Sequence, residues 1–268
     1  LTPRVGFRGT YYSRTGNSDE ESPDFVGVTG DYGGGTFRPI FNAGLETSFK
    51  LSAKYEQIQS TFWGLDGLMH VIQPYANYAF VENTGLGSDE ILQFDRLVPS
   101  SLLPSLNFPQ FTAIDSIDSS NILRLGMRNR LLTRRDNDTF EWFTLDTFAD
   151  VNFDNPYLDD PGTLSNLYNN IAFSPVPWFT MGVFSQIPIS EGAGSFTDVN
   201  SYFRWQPVRE FSFFVSQRYL DNNPYFQDDS QASAGGYWRI SDNWAVSAST
   251  RYDFTFDTWQ IQRYMVHR

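Results

Sequence analysis

The chain contains no cysteine, which excludes disulfides, thiolate metal sites and thiol nucleophiles. Histidine is almost as scarce: His70 and His267 are the only two, so a zinc site would have to draw on them and on carboxylates. No apolar run approaches the ~18–20 residues that a membrane-spanning helix needs, which leaves strands as the one means of crossing a bilayer. Positive charge is in deficit: 19 Lys and Arg stand against 31 Asp and Glu, a net charge of −12 that argues against a general nucleic-acid binder. Catalytic signatures are missing too. There is no Gly-x-Ser-x-Gly elbow, no His-Glu-x-x-His and no phosphate loop, and nothing local sets either histidine beside a serine and an acid. Gly33, Gly34 and Gly35 read as a flexible loop or strand end rather than a phosphate cradle. No enzymatic activity is expected.

Aromatic residues are abundant, with 25 Phe, 14 Tyr and 7 Trp in 268 residues. The mean hydropathy is nevertheless only −0.38. Such a mixture suits strands with one apolar and one wet face. Residues 42–56 show the pattern best: Ala43, Leu45, Thr47, Phe49, Leu51, Ala53 and Tyr55 alternate with Asn42, Gly44, Glu46, Ser48, Lys50, Ser52 and Lys54. A period of two is the signature of a strand, and a helix would scatter these residues around its circumference. The same alternation runs through 3–12, 121–132 and 140–153. Further strands are predicted at 70–81, 165–173, 178–187, 196–205, 210–220, 231–240, 244–256 and 258–267, about twelve in all.

The connections alternate in length through the C-terminal half. Ser174-Pro-Val-Pro177, Gln206-Pro-Val-Arg209 and Ser241-Asp-Asn243 are tight turns. Residues 154–164, 188–195 and 221–230 are longer and more polar, and the longest loops are predicted at about 13–41 and 82–120. Short turns at one end and long loops at the other, joined by strands near the ~9–11 residues that cross a bilayer, describe an antiparallel transmembrane β-barrel. Aromatics near strand ends (Tyr11, Tyr12, Tyr55, Trp178, Trp205, Tyr219, Trp238, Trp244, Trp259) match interfacial girdles. The fold class expected is therefore all-β, one barrel region over 1–268 in the bacterial outer membrane, incomplete at both ends. Two alternatives stay open: a porin-like diffusion channel, and an extracellular β-sandwich adhesin that stacks Trp and Tyr on glycans.

Arg124, Arg128 and Arg130 lie on one face of their strand, opposite Leu123, Leu125, Met127 and Leu131. An Arg or Lys on the lipid face costs ~2–4 kcal/mol near midplane. These arginines, with Lys50 and Lys54, are therefore assigned to a lumen, where they meet anionic headgroups or pair with Asp146 and Asp150 on the next strand. On 42–56, Leu45, Phe49, Leu51 and Tyr55 are assigned to lipid and Glu46 with the two lysines to the lumen. Asp154-Asn-Pro-Tyr-Leu-Asp-Asp160 and Asp221-Asn-Asn-Pro-Tyr-Phe-Gln-Asp-Asp229 share a vocabulary. Asp159, Asp160, Asp228 and Asp229 are weak candidates for calcium or magnesium, against the alternative of ordinary Asp/Asn turn chemistry. No resident cofactor is expected.

The stretch Gly67-Leu-Met-His-Val-Ile-Gln-Pro-Tyr-Ala-Asn-Tyr78 resembles the His-x-x-x-Pro-x-x-x-Tyr strand of the LptD family, the outer-membrane translocon that places lipopolysaccharide in the outer leaflet. Leu1-Thr-Pro-Arg-Val-Gly-Phe-Arg-Gly-Thr-Tyr-Tyr12 is similar to a strand preceding it in that family. Phe94-Asp95-Arg96-Leu97 and the arginine-bearing strand Asn121 to Arg135 resemble its "FD" loop and the strand that follows. Trp259 to Arg268 resembles its penultimate region. The family's periplasmic jellyroll, cysteines, first strands and closing strand are absent, so the resemblance implies an internal piece of the barrel, without the lateral gate. It further implies lipopolysaccharide and outer-membrane lipid as partners, with periplasmic bridge proteins and a plug lipoprotein. His70 and Pro74 match the family motif by position and imply no catalysis; packing at a strand end would also account for them.

Overall fold

A computed structural model describes residues 1–13, 35–91, 93–95, 105–106, 114–154, 164–189, 196–223 and 226–268. The described residues contain thirteen strands and no α-helix, only a 3-10 turn at Ile114–Ser116. The strands are β1 (Thr2–Tyr12), β2 (Thr36–Ser48), β3 (Leu51–Ser60), β4 (Leu65–Asn83), β5 (Ser120–Arg135), β6 (Asp138–Asp154) and β7 (Leu167–Val176). They continue with β8 (Phe179–Ile187), β9 (Thr197–Val208), β10 (Phe211–Asp221), β11 (Asp229–Ser241), β12 (Trp244–Asp253) and β13 (Thr258–His267). All belong to one antiparallel sheet in chain order, β1-β2-β4-β5 and onward to β13, with β3 also on β4. Sequential neighbours make this an up-and-down order, without the crossovers of a Greek-key sandwich. The order has two ends: β1 and β13 share no ladder.

The strand expected over 42–56 is two strands, and Pro74 supplies the reason. Leu51 lies opposite Ile72. Two residues back, Phe49 N donates to Pro74 O at 3.4 Å. An antiparallel pair of this kind normally exchanges a second bond in return, but proline has no N–H to give. The ladder lapses at Phe49–Lys50, and the chain resumes as β3 along the same strand. The count therefore rises from twelve to thirteen while the number of positions in the order stays twelve. Pro74 itself is corrected: it sits in the interior of a 19-residue strand rather than at a strand end. The loop expected over 13–41 is shorter than predicted, since β2 begins at Thr36.

The chain divides into two compact units. The first comprises Leu1–Thr47, Ala76–Arg124 and Asp150–Thr163. Here Val5 faces Ala43, Phe7 faces Phe41 and Tyr11 faces Phe37, while Arg4 faces Gly44 and Thr10 faces Arg38 on the opposite side of the ladder. Ile40, Val81 and Ile117 form a cluster of buried apolar side chains in this unit.

The second unit comprises Ser48–Tyr75, Leu125–Ala149 and Leu164–Arg268. Its hairpins carry the turn chemistry their lengths demand. Asp136 and Asn137 join β5 to β6 with φ of 52° and 65°, left-handed values that Asp and Asn tolerate best after glycine. Gly64, with φ of 61°, closes the β3–β4 turn, and a Cβ there would lie 2.6 Å from Pro175 O. Aromatic rings follow one another across the neighbouring strands β7, β8 and β9, Phe173 to Phe179 at 5.9 Å and Phe179 to Phe203 at 5.3 Å, and Trp63 of the β3–β4 turn meets Phe173 at 6.2 Å. Trp205 and Phe211 make a further edge contact at 5.7 Å. Each such pair contributes ~0.5–1.5 kcal/mol beyond area burial.

Glycines receive aromatic rings from the adjoining strand. Gly182 faces Tyr202 and Gly235 faces Phe214, and in both pairs the ring fills the volume of the missing Cβ. Gly126 does the same for Tyr75. Gly126→Ala is accordingly expected to destabilise the fold by about 1–3 kcal/mol through overpacking. In a Gly126→Ala/Tyr75→Ala cycle followed by denaturant unfolding, the two losses should fall short of adding. Strict additivity would show that the ring does not depend on the glycine.

Candidate functional site

In the second unit the polar face of β4, β5 and β6 centres on Asp146. Arg128 donates to Asp146 Oδ2 from Nε at 3.1 Å and from Nη2 at 2.9 Å, and Tyr75 Oη donates to Asp146 Oδ1 at 3.1 Å. Gly126 makes this possible, because its bare backbone lets the Tyr75 ring reach toward β6. The Arg128 guanidinium lies 5.7 Å from that ring's centroid, within cation–π range. Arg130 pairs with Glu141 at 3.6 Å, a partner the sequence reading did not name. Lys54 lies opposite Met69 on β3 and β4, and Lys50 falls in the interruption between β2 and β3. His70 lies opposite Ala53, and its Nε2 shares a hydrogen bond of 3.3 Å with Asn129 Oδ1. Its register sets it among Leu51, Ile72 and Tyr55 rather than with the lysines.

In the first unit Arg124 makes a two-pronged bond to Asp150, Nε to Oδ1 at 2.8 Å and Nη2 to Oδ2 at 2.9 Å. Both residues are buried. Such fork-to-fork geometry fixes both side chains. Arg124 and Arg128 thus meet the carboxylates of the following strand, the second of the two expectations for them.

The same unit contains a group that the sequence reading missed. Arg38 is 0% exposed, the extreme for a guanidinium. Its Nε donates to Leu86 O at 2.9 Å, its Nη1 to Ile114 O at 3.1 Å and Asp115 O at 3.3 Å, and its Nη2 to Ile117 O and to Asp118 Oδ1 at 3.4 Å. Asp115 in turn accepts the Tyr12 hydroxyl and the backbone N–H groups of Phe94 and Asp95 at 2.7 and 2.8 Å. Asp118 accepts Ser88 N at 3.0 Å and the Ser88 hydroxyl. Arg38 and Tyr12 therefore fasten the described parts of the β4–β5 connection to the polar side of β1 and β2. The signal was present: Thr36, Arg38 and Ile40 alternate with Phe37, Pro39 and Phe41, which continues the pattern of 42–48 upstream.

Of the four loop carboxylates, Asp159 and Asp160 lie outside the described residues, as do Gly33, Gly34, Arg96 and Leu97. Asp228 accepts Asn222 N at 2.8 Å, and Asp229 pairs with Arg218 at 3.7 Å. These two carboxylates serve the turn and the adjoining strand. Among the described residues no three His or carboxylate side chains gather where a metal ion would be held. No protein-family model matches the chain, and neither does any curated protein.

Proposed function

We propose that the chain is a section of an outer-membrane β-barrel of the LptD type, passing lipopolysaccharide from the periplasm to the outer leaflet. The observation that carries the membrane part of this reading is the outward face of β1 and β2. Val5 is 77% exposed, Phe7 69% and Tyr11 68%, beside exposed Phe37, Phe41 and Leu45. Their ladder partners share that face, while Arg4, Arg8, Arg38 and Tyr12 take the other. Monomeric proteins in water rarely leave so much contiguous apolar side chain exposed, and lipid is the solvent that suits it. The segregation of Arg124 and Arg128 onto acid partners agrees with a polar lumen. Lipopolysaccharide as cargo rests on the sequence resemblance described above. In this mechanism the polar lumen takes the sugar and phosphate part of the amphiphile while the acyl chains leave sideways into lipid. Periplasmic bridge proteins and a plug lipoprotein deliver it, and the free energy is supplied elsewhere.

Single cysteines test the membrane assignment. Leu51→Cys is expected to react with a lipid-soluble maleimide and Ser52→Cys with a water-soluble one, because residues one apart in a strand such as β3 face opposite sides. Reversed labelling would overturn the orientation. The cargo is tested by depleting the gene product in its own cell, which should reduce surface lipopolysaccharide and admit large hydrophobic antibiotics. Undiminished surface lipopolysaccharide would favour the porin alternative, for which the fastened β4–β5 connection would act as a constriction loop.

A further inference from the structure

In the second unit the strands β9 to β13 set two rows of side chains on their polar face. The first runs Arg204, Phe214, Gly235, Ser249 and Arg263, each directly opposite the next across a ladder. The second runs Gly182, Tyr202, Ser216, Ser233 and Arg251 and extends the face to β8. Phe203, Val215 and Ala234, which fall between these positions along their strands, take the apolar side. Neither row contains a carboxylate, although the chain as a whole has a net charge of −12. Arg204, Arg251 and Arg263 are all exposed, and none of them has an acidic partner. Arg204 Nη2 donates to Gln206 Oε1 at 2.8 Å and Arg251 Nε to Ser233 Oγ at 3.2 Å, while among the described residues Arg263 holds no hydrogen bond or ion pair. Arg124, Arg128 and Arg130 differ in this respect, since each meets a carboxylate.

The two rings on this face are the second anomaly. Tyr202 lies over Gly182 and Phe214 over Gly235, yet they remain 50% and 41% exposed. A ring on the apolar side has lipid for a solvent; these two have water, where exposed apolar surface marks a binding site. Arg251 and Arg263 occupy diagonal positions across β12 and β13, ~7–8 Å apart at the backbone, and Arg204 stands four strand spacings from Arg263, ~19 Å at ~4.8 Å each. One extended molecule can follow such a span, and a single small anion cannot. Aromatic rings, serine hydroxyls and guanidinium forks together suit a chain of sugar rings that carries acid groups: the rings stack on the C–H faces, and the arginines take carboxylate or phosphate oxygens. We propose that the polar face of β8 to β13 binds an acidic oligosaccharide, with Tyr202 and Phe214 under the sugar rings and Arg204, Arg251 and Arg263 on the acid groups. The inference rests on the reading of this face as a lumen, where the occupant is the sugar part of the translocated amphiphile.

Trigalacturonate is the probe, titrated calorimetrically into the full chain in nonionic detergent, with maltotriose as the uncharged sugar and propane-1,2,3-tricarboxylate as the acid without sugar. Trigalacturonate is expected to bind at least tenfold more tightly than either reference. Equal binding of maltotriose would remove the arginines from the site and equal binding of the tricarboxylate would remove the rings, and either result overturns the proposal. Arg251→Gln/Arg263→Gln should lose at least tenfold in affinity while keeping the β-sheet circular dichroism; unchanged affinity in the folded double variant would also overturn it. Should the double variant not fold, Ser249→Cys in the otherwise unchanged chain gives the answer. Water-soluble maleimide should label position 249, and trigalacturonate should slow that labelling several-fold. Labelling without protection would overturn the oligosaccharide site alone, whereas labelling only by a lipid-soluble maleimide would overturn the lumen assignment itself.

Discussion

Arg38→Ala is expected to release the β4–β5 connection. The substitution removes every donor that Leu86 O, Ile114 O, Asp115 O, Ile117 O and the Asp118 carboxylate receive from one side chain. Ile117 O loses its donor, at a cost of about 1–3 kcal/mol for a buried acceptor, while Leu86 O, Ile114 O, Asp115 O and the Asp118 carboxylate keep donors within the connection itself, from Asn83, Ile117, Gln93 and Ser88. The substitution removes the tie between the connection and β2, so the segment should loosen from that strand while keeping its own internal bonds. Limited proteolysis between 84 and 119 should accelerate at least tenfold, and the amides of Phe94 and Asp95, bonded to Asp115, should lose part of their hydrogen-exchange protection as the loosened segment opens more often. The strand content should hold, because β2 keeps its ladder with β1. Arg38→Lys should fail to restore protection: an ammonium is a single point, and the acceptors surround a planar fork. Unchanged cleavage in Arg38→Ala would show that the connection is held by other contacts.

Asp150→Ala is the second change with a large expected effect. It leaves the Arg124 guanidinium buried without the carboxylate that meets it at 2.8 and 2.9 Å. Removing one partner of a buried pair costs about 3–5 kcal/mol, because the remaining charge keeps its desolvation penalty and loses the compensating attraction. Denaturant unfolding of the chain in micelles should show that loss as a lowered midpoint. Arg124→Met/Asp150→Leu, which removes both charges and fills much of their volume, should recover most of it. The same experiment on the exposed Arg239–Asp242 pair should give a change under about 1 kcal/mol. A small effect at Asp150 would mean that water reaches Arg124 when its partner is gone.

Much of the architecture was legible because a strand writes its two faces into the sequence with a period of two. The alternation at 3–12 and 42–48 already separates Val5, Phe7 and Leu45 from Arg4, Arg8 and Glu46, and the ladder keeps them apart. Gly64 and the Asp136-Asn137 pair, turns that the sequence reading did not single out, take left-handed φ values that those residues tolerate best. Arg124 and Arg128 could be matched to Asp150 and Asp146 in advance, since neighbouring antiparallel strands set equal steps in opposite directions.

The positions that were misread depend on residues far away in the chain. Nothing within 42–56 marks the lapse at Phe49–Lys50, because the missing donor belongs to Pro74 on the neighbouring strand. Arg38 falls inside the loop expected over 13–41, and four of its five acceptors are backbone carbonyls 48 to 79 positions away, which have no letter in the sequence. The cavity beside β1, about 470 Å³ in volume, depends on Asn42, Val81 and Ile117 arriving from three other stretches. Strand periodicity and side-chain face were thus determined by the sequence itself, since each is decided by sterics and solvation within a few residues, whereas residues 174–176 and 206–208, read as turn residues, lie in β7 and β9. Which carbonyl meets which guanidinium, where a ladder lapses and where a cavity opens were decided only by the tertiary structure, because each requires a pairing register that brings distant backbone together.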